Sequence, residues 1–255
     1  MSHPKLTAQL YTIREYTKTL SDFDASMKKI ADIGYTAVQV SGIGPIPHEE
    51  VKAVTDNYGL KICITHVGFD YLVNEMDAAI AQHKLWACPN VAVGSLPQSY
   101  RGSEPGFKQF ARDATAVGKQ LAEAGLTFSY HNHSFEFVRY GNRTALDIIY
   151  TESDPRYLQA EIDTYWIQHG GGDVRQWILE MKDRMPVIHF KDMVILDGKQ
   201  TMAEIGEGNL FWPGIIEACE SVGVEWYAIE QDVCQRNPFE SLKISYDNLR
   251  AMGVQ

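Results

Sequence analysis

A chain of 255 residues with 45% hydrophobic and 22% charged residues has the make-up of one large soluble globular domain and shows no sign of disorder. Its net charge of −10 opposes a polyanionic partner, because binding a phosphate backbone needs a clustered basic face; neither nucleic acid nor an anionic membrane is expected. Cys63, Cys88, Cys219 and Cys234 form no C-x-x-C pair and read as reduced thiols of a cytoplasmic protein.

The first fifteen residues lack the pattern of a secretion signal, and no run reaches the ~18 to 20 apolar residues of a membrane span. A first strand is predicted over Leu6–Tyr11. A helix capped by Ser21 then runs to Ile33, with Phe23, Met27, Ile30 and Ile33 at helical spacing, and Gly34 stops it. The strand Thr36–Val40, a Gly/Pro loop, a helix over His48–Tyr58 and the strand Lys61–His66 follow. Residues 71–87 are helical in pattern, Asn90–Val93 is a short strand, and Pro105–Ala124 is the longest helix, ended by Gly125.

The apolar run Leu126–Tyr130 is the fifth strand, and it breaks into His131 and His133. A short helix at Ala145–Tyr150 closes at Ser153-Asp154-Pro155. The strand Leu158–Asp163, the helix Val174–Arg184 and the strand Val187–Phe190 come next. Residues 195–209 form a Gly-punctuated irregular connection to a helix at Pro213–Ser221. The strand Trp226–Glu230 and an amphipathic helix, Phe239–Met252, end the chain. Eight strand-then-helix units with no break in composition predict an α/β fold, a (β/α)8 TIM barrel formed as a single domain over residues 1–255. Neither G-x-G-x-x-G nor G-x-x-x-x-G-K is present.

In such a barrel the chemistry sits at the C-terminal ends of the strands. His66 ends the third, His131 and His133 the fifth, Asp163 the sixth, His189 with Lys191 the seventh and Glu230 the eighth. Each has a plain alternative: a hydrogen-bonded histidine, a cap on the next turn for Asp163, a surface ion pair for Glu230 or Lys191. Convergence on one level reverses that balance, and carboxylates with imidazoles but no thiolate suit Mn²⁺, Mg²⁺, Co²⁺ or Zn²⁺. Such an ion binds adjacent oxygens of a hydroxy-ketone and favours its enediolate. Glu161, two residues before Asp163, is expected to orient a histidine, with direct ligation as the alternative.

The segments AQLYTIRE, YHNHSFEF, EIDTYW, IHFKD, GEGNLFWPGI and AIEQD, in that order, resemble the sugar phosphate isomerase/epimerase superfamily of xylose isomerase-like barrels. The resemblance implies one divalent ion, manganese first, held by Asp163, His189, Glu230 and, where many members have Glu, His131. It implies His131, His133, Glu230 and Lys191 as catalytic groups and Tyr11, His66, Trp166 and Glu207 as substrate contacts. Members commonly pair as homodimers. The YHNH form is similar to a branch of inosose dehydratases and keto-sugar lyases. The expected function is thus a metal-dependent sugar isomerase or epimerase acting through an enediolate. The alternatives are a lyase, dehydratase or hydratase of a keto-sugar, keto-inositol or keto-glycoside, then an abasic-site endonuclease or a non-catalytic sugar-binding barrel. The partner is a small carbohydrate.

Overall fold

The computed structural model describes residues 5–254; the first four residues of the stretch read for a leader lie outside that range. Eight parallel strands build the barrel. They are β1 Lys5–Gln9, β2 Ala37–Val40, β3 Lys61–Val67, β4 Asn90–Val93, β5 Thr127–His131, β6 Gln159–Glu161, β7 Val187–Phe190 and β8 Trp226–Ile229. Neighbours pair in order from β6 through β5, β4, β3, β2 and β1 to β8 and β7. Between β6 and β7 an isolated bridge of Asp163 with His189 closes the ring, where His189 N donates to Ile162 O at 2.8 Å.

Alternation along each strand separates two cores. In β5, Phe128 and Tyr130 face the helices, and Tyr130 meets Phe110 edge-on at 5.1 Å. In β7, Phe190 stacks on Tyr227 of β8 at 4.3 Å. The interior holds a separate small cluster of Ala37, Cys63, Ile64, Ala92, Val187 and Ala228, with Trp226 packed against it. Small residues there let the strands approach, and the polar layer at the C-terminal mouth stands on this plug.

The long helix Glu104–Glu123 is capped by Ser103 Oγ, which accepts from Gly106 N at 3.2 Å, and it buries Phe107, Phe110, Ala114, Val117 and Leu121 on one face. Gly118 is required in it, because a Cβ there would stand 1.9 Å from Tyr157 O.

The structure differs from the sequence expectations in several places. Thr19, not Ser21, caps the first long helix, which spans Leu20–Ile33. Residues 71–87 hold two helices, Phe69–Asn74 and Met76–Leu85, because Glu75 leaves helical geometry at φ −131° and ψ 40°. β1 ends at Gln9, so Tyr11 lies on the 3-10 helix Leu10–Tyr16. A helix absent from the expectations, Thr164–His169, follows β6 directly, capped by Asp163. The connection after β7 is not irregular: Asp192–Leu196 and Lys199–Ala203 form an antiparallel hairpin. Asp197 and Gly198, at φ 50° and 74°, turn it, the left-handed pair that a two-residue hairpin loop demands.

Asp192 anchors what comes after. Its buried carboxylate accepts from the backbone N–H of Met193, Gly206, Gly208 and Leu210, at 2.8 to 3.2 Å, and from Trp212 Nε1 at 2.6 Å. A Cβ on Gly208 would lie 2.3 Å from Asp192 Oδ1. Asp192→Ala strands these donors, and hydrogen bonds to a buried charge are individually large. The substitution is expected to cost about 4 kcal/mol or more in urea unfolding; a loss under about 1 kcal/mol would show that the loop supports itself.

Candidate functional site

The expected strand-end residues meet at one mouth of the barrel. His131 of β5, Glu161 and Asp163 from β6, His189 and Lys191 from β7 and Glu230 from β8 are all 5% exposed or less. The imidazoles of His131 and His189 lie 4.3 Å apart, and His66 of β3 lies 5.1 and 5.2 Å from them.

Glu161 sits beneath this layer with its oxygens occupied. Gln39 Nε2 donates to Oε1 at 2.9 Å, His189 Nε2 lies 3.1 Å from the same oxygen, and His66 Nε2 donates to Oε2 at 2.6 Å. Burial penalises this carboxylate, yet His189 and His66 outweigh the penalty and hold it down at about 2. The glutamate thus hydrogen-bonds both rings, the contacts by which a carboxylate orients histidines. Gln9 Nε2, 3.5 Å from His66 Nδ1, completes that ring's orientation. Gly94 makes room for it, since a Cβ there would fall 2.6 Å from His66 Nδ1.

Both nitrogens of His189 face acceptors: Nδ1 is 2.9 Å from Glu230 Oε2 and Nε2 is 2.8 Å from Gln39 Oε1. Burial works against charge here, but Glu161 and Glu230 prevail and lift the ring to about 10. His131 goes the other way, pushed well down by burial and by the neighbouring His189 and His66. Asp163 is raised to about 6, its burial only partly offset by Lys191 and His189.

Lys191 is the central cation, and it is no surface lysine. Its Nζ is 2.8 Å from Glu230 Oε2, 3.0 Å from Asp163 Oδ2 and 2.7 Å from Asp232 Oδ2. Burial alone would discharge it, but the three carboxylates hold its pKa well above the usual lysine range. Asp163 does also cap a turn, accepting from Trp166 N at 2.9 Å through Oδ1. The plain alternative for Asp163 is thus realised with one oxygen and leaves the other for the cluster.

The donor set fits a divalent cation. One ligand atom each from His131, Asp163, His189 and Glu230 falls within 4.8 Å of the rest. Asp163 Oδ2 is buried without a hydrogen-bond partner, with His131 Nε2 turned toward it at 3.7 Å. Lys191 approaches that oxygen off the hydrogen-bonding direction, and the unpartnered His131 Nδ1 lies on the Glu161 side, 3.9 Å from Oε2. Buried polar atoms left in this way usually await a ligand. A second combination, His66, His131, Glu161 and His189, satisfies the same distance test, but three of its four members already hydrogen-bond to one another.

A cavity of about 380 Å³ opens on this cluster, lined among others by Tyr11, Ser41, His66, Ser95, His131, His133, Glu230 and Asp232. Tyr11 and His66, two of the expected substrate contacts, line this cavity. Trp166 packs beside His133 at 5.3 Å and under Lys191 Nζ at 5.6 Å. Glu207 does not join them: it is exposed and paired with Arg236 at 3.1 Å, because the Asp192-anchored loop turns it outward. His133 is pushed down to about 3 by burial and Lys191, and its Nδ1 has no partner. Its backbone N–H donates to Glu136 Oε2 at 3.0 Å, and the same buried carboxyl takes the Tyr130 hydroxyl. Burial raises Glu136 to about 7.

Asp232, Gln39, Gln9 and Glu136 are the site residues that sequence reasoning missed. For Gln39 a signal existed, a lone polar residue in the apolar strand AVQV.

An imidazole and carboxylate centre able to hold a divalent ion, at the C-terminal mouth of a (β/α)8 barrel, defines the class. The chain belongs to the xylose isomerase-like TIM barrel family, whose model matches residues 27–251. It is 26% identical over 247 residues to an inosose dehydratase of Lacticaseibacillus casei, covering 88% of this chain and 76% of that protein. Its fold is that of a sugar phosphate isomerase/epimerase from Parabacteroides distasonis ATCC 8503, with TM-score 0.82 at 22% identity over 100% of this chain and 96% of that one. It also matches the fold of the probable 3-DHS dehydratase AsbF from Bacillus anthracis, with TM-score 0.72 at 12% identity over 96% and 98% of the two chains. The relatives and structural neighbours thus include isomerases, epimerases and dehydratases. Among the described residues no helix is long and apolar enough to cross a membrane.

Proposed function

We propose that this protein is a divalent-metal-dependent lyase that dehydrates a polyhydroxylated ketone, a keto-sugar or keto-inositol. The observation that carries the reading is the makeup of the cavity wall. Epimerisation needs two proton-transfer groups on opposite faces of the substrate. Where many family members carry the glutamate that pairs with Glu230 this chain has His131, and the nearby Glu161 is sealed beneath the floor by His66, His189 and Gln39. The carboxylates on the wall, Glu230 and Asp232, both come from the end of β8. The other polar groups on the wall are the imidazoles of His66, His131 and His133 and the hydroxyls of Tyr11, Ser41 and Ser95. It offers no second carboxylate from another strand to face Glu230, so an isomerase or epimerase moves to second place.

His131, Asp163, His189 and Glu230 would hold the ion, with Mn²⁺ preferred over Mg²⁺, Co²⁺ or Zn²⁺. When bound, the ion supplies Lewis-acid stabilisation of the oxyanion that develops on the ketone. His133, neutral and with a free acceptor nitrogen, takes the proton from the carbon beside the carbonyl. The C–H electron pair becomes the enolate double bond; Lys191, buried behind Glu230 and Asp232 and off the cavity wall, acts by holding those carboxylates in place. His133, now protonated, returns that proton to the departing hydroxyl as the C–O bond breaks, and water leaves. Tyr11 flanks the ring of the substrate, and Trp166 backs His133. The 26% identity to an inosose dehydratase supports the same reaction class.

The test is incubation of the Mn²⁺-loaded protein in deuterium oxide with a panel of keto-inositols and keto-sugars, read by mass spectrometry. Loss of one water is expected from at least one compound, with deuterium exchange in the remaining ketone. His133→Ala should slow both by about 10² to 10⁴-fold, the usual range for a general base. Exchange with mass conserved would make the protein an isomerase or epimerase, and no exchange with any compound would remove the enolate chemistry altogether.

A further inference from the structure

We infer that the cavity admits uncharged polyhydroxylated ketones and rejects their phosphate esters, and that Asp232 is the residue that sets this selectivity. The inference rests on the function proposed above and adds the charge class of the substrate. Four carboxylates, Glu161, Asp163, Glu230 and Asp232, surround the cluster. Against them stand the Lys191 ammonium and, once loaded, one divalent ion with neutral histidine ligands, so the site keeps one negative charge in excess.

No Lys or Arg is among the residues lining the cavity. Lys191 already faces three carboxylates within 3.0 Å. Arg14, stacked on Tyr11, gives Nη1 to the carbonyls of Tyr11 and Asp232 at 2.9 and 3.1 Å. Arg101 lies over Phe135 and is spent on Leu96 O and Ser95 Oγ. What the wall offers instead is Ser41, Ser95, Tyr11 and the imidazoles of His66 and His133, groups that exchange hydrogen bonds with hydroxyls. Asp232 is the one of the four carboxylates with substantial exposure, its side chain 25% accessible, and it stands where an entering anion would meet it. A like charge in a low-dielectric cleft repels strongly. A volume near 380 Å³ lies at the small end of ligand sites, as one sugar-sized ring requires.

The experiment measures equilibrium binding to the Mn²⁺-loaded protein by calorimetry, so its outcome does not depend on turnover. The probes are D-fructose and D-xylulose, each paired with its phosphate ester, together with inorganic phosphate. Each ester is expected to bind at least about tenfold more weakly than its parent, with no binding of inorganic phosphate at millimolar concentration. Asp232→Asn should narrow the gap several-fold, and Asp232→Ser serves if the amide perturbs folding. An ester that binds as tightly as its parent, a gap unchanged in both variants, or no binding by either member of both pairs overturns the inference. Parents that bind without exchanging deuterium would sink the lyase reading and leave the charge preference standing.

Discussion

Lys191→Met is expected to lower the thermal midpoint of the metal-free protein by about 10 °C, equivalent to about 3 to 5 kcal/mol for a chain of this size. Methionine keeps most of the stem volume, so the loss reports on the ammonium. That ammonium is buried and lies within 3.0 Å of Asp163, Glu230 and Asp232. Without it three carboxylates share a pocket with only His189 to oppose them. A lysine whose folded pKa is raised contributes its full stabilisation below the unfolded value and loses it only as pH rises through the folded value. The contribution of Lys191 should therefore stay constant from neutral pH up to about 10. Adding Mn²⁺ should raise the midpoint more in the variant than in the native chain, because the ion replaces the missing charge. A variant as stable as the native protein without metal would show that desolvating the ammonium cancels its attraction to the carboxylates.

The fold was legible because its strands are apolar runs punctuated by Gly, Pro and capping residues, and β4 and β7 match their expected bounds residue for residue. The strand-end residues could be named because a strand alternates, which puts His189 and Lys191, or Glu161 and Asp163, on one side. Where alternation stops, the information stops. Asp232 lies beyond the end of β8, and only the chain's return past Arg14 brings its carboxylate over Lys191. Glu207 fails for the same reason: its direction is set by five hydrogen bonds to Asp192, which no local pattern announces. The hairpin after β7, expected as an irregular connection, did carry a local signal that the expectation passed over: Asp197-Gly198 between a β-branched run and a polar run marks a turn. The helix Thr164–His169 was not, at six residues too short for a periodicity to register.

Asp163→Asn is expected to weaken Mn²⁺ binding by at least about 100-fold and to cut turnover by about three orders of magnitude, with the barrel intact. Asparagine is as good an N-cap as aspartate, so the bond from Trp166 N can persist while the charge on the outer oxygen is lost. Asp163→Ala should bind metal as poorly but also unfold about 1 kcal/mol more easily; the pair of variants separates ligation from capping. The pH dependence follows from the metal-free cluster. His189, lifted to about 10 by Glu161 and Glu230 against the effect of burial, and Asp163, raised to about 6 by burial, both carry protons that an ion must displace. Affinity should therefore climb with pH, releasing about two protons per ion below about pH 6 and about one between there and pH 10. Calorimetry in buffers of different ionisation enthalpy counts those protons directly. In Asp163→Asn the count below pH 6 should fall by one. An affinity independent of pH over this range would mean that the ion does not engage His189, and the ligand set would have to be drawn from elsewhere in the cavity.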